Sequence, residues 1–198
     1  MPVFYNPKND KKFFYIHIPR TGGRFLVENF IANGCIIIHP MTNKIIPNLS
    51  DIREKIEGIE MLHAHKDIYK KWYRIEQMPH FTVVRNPIDR FISASSCLNK
   101  NLKENKMQQW DYFNKELNKT RPNNWFKPQN EFISSKTKVW KYEDGFNNNF
   151  CEWVSNLLSF SFTIKTNIFF PTKKERNKFK KNALLLDNIK KYYKKDWI

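Results

Sequence analysis

Arg20-Thr21-Gly22-Gly23 stands between a run of aromatic and β-branched residues and an apolar segment with helical spacing. Glycines at such a junction let backbone N–H groups approach an anion, and the helix N-terminus adds partial positive charge. An ordinary tight turn uses a glycine pair in the same way, and it is the neighbouring Arg20 and Thr21 that turn the reading toward a phosphate-like ligand. Arg85-Asn86-Pro87 makes a second junction of this kind, because a short apolar run ends there and Pro87 suits the first turn of a helix. His17, His39, His63, His65 and His80 are the side chains able to take a proton near neutral pH. His63 and His65 lie two residues apart, on one face if a strand runs through them. That pair could also begin a metal site, but no third ligand follows at a suitable spacing, so no metal is expected.

Two common nucleotide sites are excluded by what the loops lack. G-x-x-x-x-G-K-[ST] does not occur after any strand-like run, which disfavours a nucleoside triphosphatase, and G-x-G-x-x-G is absent, which removes support for a dinucleotide site. A kinase-like phosphoryl transferase remains an alternative only because similar sheets and loops serve many nucleotides.

The elements that must position these residues follow from periodicity. Phe13 to Ile18 reads as a buried strand ending at Pro19, and Leu26, Val27, Phe30 and Ile31 recur at helical spacing before Asn33-Gly34 stops the helix. Cys35 to His39 predicts a strand, Ser50 caps an expected helix through Glu57, and Glu60 to His65 predicts another short strand. Phe81 to Val84 is a further buried strand, running into a helix from Pro87 through Ser95. The Lys- and Asn-rich middle predicts a helix over Gln108 to Asn118 and then a Pro-containing loop. Beyond it come a strand over Thr137 to Tyr142, a helix over Phe146 to Phe160, and one or two basic helices within Thr172 to Lys195. Strands alternating with helices predict one α/β domain over 1–198 with a largely parallel sheet, whose ligands sit at the carboxyl ends of strands.

Composition fits an ordinary folded domain. The chain has 198 residues, 40% of them hydrophobic and 16% aromatic, enough for a real core. Its 35 Lys plus Arg against 19 Asp plus Glu give a formal charge of +16, which attracts anions. Runs such as Lys180-Lys181 and Lys194-Lys195 taken singly are solvated helix faces, while the whole field, with Trp110, Tyr112, Trp125 and Phe126, leaves a polyanion or nucleic-acid binder as a second alternative. Cys35, Cys97 and Cys151 show neither disulfide nor zinc spacing. The polar first twelve residues carry no apolar core of a signal peptide, and nothing is long and apolar enough to span a bilayer, so a soluble cytoplasmic protein is expected.

The stretch Phe14 to Gly23, with His17, Pro19, Arg20, Thr21, Gly22 and Gly23, resembles the phosphosulfate-binding loop h-x-H-x-P-K-T-G-G-T-S of sulfotransferases that use 3′-phosphoadenosine 5′-phosphosulfate (PAPS) to sulfate carbohydrates. Val83 to Ser95 resembles the same family's R-[DN]-P-x-x-R-[FL]-x-S signature, and Lys127 to Ile133 and Val139 to Asp144 resemble two later segments, N-x-Q-x-[RE]-[FY]-L and v-x-x-Y-E-D-L. The resemblance covers most of 13–160 and implies a P-loop-like three-layer α/β fold, in agreement with the periodicity.

It also implies roles. Arg20, Thr21, Gly22 and Gly23, followed by Arg24 and Phe25, would bind the cofactor around its 5′-phosphate, and Arg85 and Ser93 would grip the 3′-phosphate, whose nearly two charges suit a bidentate guanidinium plus a hydroxyl. Without the first motif, Arg85, Asp89 and Arg90 would equally form surface pairs. Leu62-His63-Ala64-His65 resembles the Y-H-G-H segment of uronyl-type members, which makes His65 the expected base, with Arg20 the expected catalytic cation. His17 precedes the loop inside an apolar strand, a place that by itself suits support. The acceptor implied is a hydroxyl of a carbohydrate, acidic glycans included. Three positions depart from the family: Arg20 replaces a lysine, and Arg24 and Phe25 replace a Thr-Ser pair, so two hydroxyl ligands are missing and only the charge of Arg24 could compensate.

Overall fold

The computed structural model describes residues 2–39, 42–47, 55–56, 59–72, 77–99, 124–166 and 183–197. The chain opens with strand β1 (Val3–Asn6), which turns through 7–10 into β2 (Lys11–Ile16). Helix α1 (Gly23–Ala32) and β3 (Ile36–Ile38) follow, and then a two-stranded hairpin of β4 (Lys55–Ile56) and β5 (Ile59–Glu60). A 3-10 turn at Met61–His63 leads into α2 (Lys66–Trp72), β6 (His80–Val84) and α3 (Pro87–Asn99). Strand β7 (Lys138–Lys141), α4 (Asn148–Leu158) and α5 (Ala183–Tyr192) complete the described elements.

The main sheet has the order β3-β1-β2-β6-β7. β2, β6 and β7 are parallel neighbours, whereas β1 runs antiparallel to both β2 and β3. The fold is thus α/β with a parallel heart, as expected, and β1 is the strand that the sequence reading did not predict. Asn6 explains how the polar start of the chain turns back: its side chain accepts the Lys8 N–H at 3.0 Å, and Asp10 takes φ 53.

β2 from Phe13 onward and the whole of β6 are buried on both faces, which is why each reads as a run rather than an alternation. Phe13, Tyr15, Phe81 and Val83 point into one core layer with α1 and α4, where they meet Leu26, Phe30, Phe150 and Val154. Phe14, Ile16 and Val84 face the opposite layer with Ile68 and Tyr69 of α2 and with Phe132. Each fully buried Phe or Ile adds on the order of 1.5–3 kcal/mol of transfer free energy, so these two layers hold the strand ends in place. Helices α3 and α5 pack together through Phe91, Ala94, Leu185, Ile189 and Tyr193.

Two expectations are corrected. The helix expected over Ser50 to Glu57 gives way at Lys55–Ile56 to the first strand of the small hairpin. The strand expected over Glu60 to His65 stops at Glu60, and the chain tightens into the 3-10 turn, so His63 and His65 do not share a strand face. The expected helix over Gln108 to Asn118 lies outside the described residues, as does the tail segment before Ala183. The three cysteines are free thiols, and burial pushes the Cys35 thiol up to about 12. Among the described residues, no helix is long and apolar enough to cross a membrane.

Candidate active site

The carboxyl end of β2 carries the chain from Ile16 into the glycine loop and then directly into α1. Arg20 takes φ 70 and Gly22 takes φ 90, both left-handed, which folds the loop tightly over the first turn of the helix. Thr21 is fully buried and its hydroxyl donates to the Ile18 carbonyl at 2.9 Å, closing the turn from inside. Gly23 has a second reason to be glycine: a Cβ there would lie 1.9 Å from the His17 imidazole. His17 is therefore the floor on which the helix N-terminus rests, the supporting role expected for it. Burial pushes its pKa well below the ordinary imidazole value, with the nearby His63 and Arg20 acting in the same direction.

β6 is the parallel neighbour of β2, so its own carboxyl end delivers Arg85 beside the loop. Arg85 is buried, its Nη1 donates to the Arg20 carbonyl at 3.1 Å, and its guanidinium lies 4.5 Å from the Tyr142 ring centroid. Asn86 caps α3, accepting the N–H groups of Ile88 at 3.0 Å and Asp89 at 3.2 Å, while its own N–H donates to Glu143 at 2.7 Å. Two turns along that helix, Ser93 is buried and its hydroxyl accepts from Arg20 Nε at 3.0 Å. Arg20, Thr21, Gly22, Gly23, Arg85 and Ser93 thus converge at adjacent strand ends. Two guanidiniums, a hydroxyl and a helix N-terminus there suit a ligand with two phosphates.

Arg24 and Phe25 follow the glycines in the first turn of α1. The Arg24 side chain is 70% exposed and paired with Glu28 at 2.9 Å. Phe25 stacks on Phe146 with ring centroids 5.1 Å apart, in an aromatic group that also holds Tyr142 and closes over Gly22.

The histidine pair is split by its turn. His63 meets the His17 ring edge-on at 4.8 Å and lies 6.1 Å from Trp125, whose ring is in turn 5.9 Å from the Arg20 guanidinium. His65 stands beyond it among Lys127, Glu131, Asp67 and Lys66. Its side chain is 15% exposed and its Nδ1 has no hydrogen-bond partner among the described residues, with the Asp67 carboxylate at 3.9 Å. Burial lowers its pKa, and the Lys127 cation lowers it further against the pull of Asp67 and Glu131.

The sequence reading gives no role to Gln129 or Asp196 and weighs Arg90 only as a member of a surface pair. Gln129 stood within a recognised motif, and the fully buried Arg90 stood in another, where its side chain donates to the carbonyls of Trp125 at 3.1 Å and Lys127 at 2.6 Å. Asp196 carried no local signal. No curated protein and no solved structure matches the chain. A model described as the sulfotransferase family matches residues 3–196, nearly its whole length and both loop segments of the site. The chain belongs to the sulfotransferase family.

Proposed function

We propose that the protein transfers the sulfuryl group of PAPS to a carbohydrate hydroxyl, acidic glycans included, with His65 as the base. The observation that carries the donor reading is the direct contact of the two loop segments: Arg85 reaches the Arg20 carbonyl while Arg20 reaches Ser93. A ligand with phosphates on the 3′ and 5′ oxygens of one ribose needs its two anion sites in such proximity. In this reading, the N–H groups of Thr21, Gly22 and Gly23 and the Arg20 cation stabilise the charge that gathers on the leaving 5′-phosphate. Arg85 and Ser93 hold the 3′-phosphate. The acceptor oxygen forms the new S–O bond as the bond from sulfur to the phosphate oxygen breaks, and the acceptor proton passes to His65.

The lowered pKa of His65 keeps its ring neutral and able to accept, and its unpartnered nitrogen supports the role. A sugar acceptor is supported by the family resemblance and by the +16 charge, which favours acidic chains. The test is sulfate transfer from radiolabelled PAPS to a panel of glycans, with His65→Ala beside the wild type. His65→Ala is expected to abolish transfer while binding 3′-phosphoadenosine 5′-phosphate (PAP) normally. Full transfer by His65→Ala would remove His65 from the mechanism.

A further inference from the structure

Arg85 is held by its backbone as well as by its side chain. Its N–H donates to Gln129 Oε1 at 2.9 Å, and its carbonyl accepts from Gln129 Nε2 at 2.8 Å. One side-chain amide therefore fills both main-chain valences at the point where β6 ends, in the manner of one more ladder residue. Gln129 is 1% exposed, and an amide without neighbours there could rotate and exchange its two ends.

What fixes the main chain that carries this side chain is a carboxylate from the far end of the described chain. Asp196 Oδ2 accepts the Gln129 N–H at 2.7 Å and Oδ1 accepts the Asn130 N–H at 3.0 Å, bracketing the first turn of the short 3-10 segment Gln129–Glu131. Asp196 is itself buried, in the turn that follows α5, and that turn is tied down by the Tyr193 hydroxyl donating to the Phe126 carbonyl at 2.6 Å. Arg90 lies 5.2 Å from the Tyr193 ring centroid and offsets part of the buried charge. Burial raises the Asp196 pKa, and the two N–H donors and Arg90 oppose that rise. Burying a carboxylate costs several kcal/mol before its partners are counted, and a carboxamide has only one oxygen to accept two converging N–H groups.

We propose that Asp196 is a positioning residue for Arg85, acting through Gln129 to hold the guanidinium where it grips a 3′-phosphate. The chain of contacts runs from α5 to the carboxyl end of β6, so a residue without contact to the nucleotide sets how well the nucleotide's 3′ end is read. The inference rests on the donor reading proposed above.

Its test compares PAP with adenosine 5′-monophosphate, which lacks the 3′-phosphate, by calorimetry on the wild type, Asp196→Asn and Gln129→Glu. The wild type is expected to bind PAP more tightly than the monophosphate. Asp196→Asn is expected to weaken PAP by about tenfold, the worth of one hydrogen bond to a charged group, and to leave the monophosphate within about twofold. Gln129→Glu, which as a carboxylate cannot donate to the Arg85 carbonyl, is expected to act in the same way when measured at pH 8 and above, and serves if Asp196→Asn fails to fold. Equal weakening of both ligands would mean a general structural role and overturn the proposal, as would unchanged PAP binding. Wild-type protein that binds the two ligands equally would instead overturn the donor reading, and the proposal with it.

Discussion

Arg20 Nε donates to Ser93 Oγ across 3.0 Å, joining two residues 73 positions apart. The first stands in the loop after β2 and the second two turns into α3, and they meet because β2 and β6 are parallel neighbours whose carboxyl ends open on the same side. This contact and the bond from Arg85 to the Arg20 carbonyl hold the two loop segments against each other.

Ser93→Ala removes both the hydroxyl proposed to meet a 3′-phosphate and the acceptor of the Arg20 Nε–H. PAP affinity is expected to fall by about tenfold, and isothermal calorimetry checks it. The replaced side chain is small, so the melting temperature should move by only about 5 °C or less. An unchanged affinity would place the 3′-phosphate elsewhere.

Arg85→Ala is expected to do more. The wild-type melting temperature should rise with PAP, and this variant should lose the rise, since ligand stabilisation follows affinity through mass action. A thermal scan at several PAP concentrations measures it. A full rise in the variant would show that Arg85 does not touch the nucleotide.

The acid limb of the pH profile should report His65. Its pKa lies below about 6.5 because of burial and then Lys127, so kcat/KM should stay high as pH falls to that value and drop only below it. Lys127→Met removes a cation that favours the neutral ring, and the limb should move to higher pH. A shift to lower pH, or none, would mean that another group titrates.

Much of this site was legible in the sequence because its parts are local. The strand, the loop and the helix around Gly22 each carry their own signal, and so do the strand, the Asn86 cap and the helix after Arg85. His65 was readable as a type of residue but not in its orientation, because a 3-10 turn at Met61–His63 replaced the expected strand. β1 was missed because Val3 to Tyr5 is a short run whose pairing with Phe13, Phe14 and the β3 isoleucines is tertiary. Asp196 was out of reach for a similar reason: its partners stand 66 and 67 residues away, and no spacing rule covers that distance.

Stability should fall in acid, and the sign follows from His17. Its folded-state pKa is depressed far below the unfolded value of about 6.5, so the native protein binds fewer protons than the unfolded chain. The stabilisation is complete above about pH 6.5 and is lost as pH falls through that value toward the folded pKa. Melting temperatures measured from pH 8 down to pH 5 should decline, and His17→Gln should flatten the decline. His65 shifts in the same direction and will leave part of the slope in that variant.

Gly23→Ala tests the floor of the loop. The added methyl would sit 1.9 Å from the His17 ring, so either the ring or the helix N-terminus must move, at a cost of about 2 kcal/mol or roughly 5 °C in melting temperature. His17→Ala alone should also destabilise, since it opens a void beneath Tyr15 and His63, against whose rings it packs. In the double variant the methyl occupies space that the ring has vacated, so the combined loss should be smaller than the sum of the two. A double-mutant cycle by thermal or denaturant unfolding gives that coupling directly. Additive losses would mean that His17 does not limit the residue at position 23. With coupling present, PAP affinity should recover in the double variant along with stability, because the loop N–H groups return to the helix N-terminus that aims them.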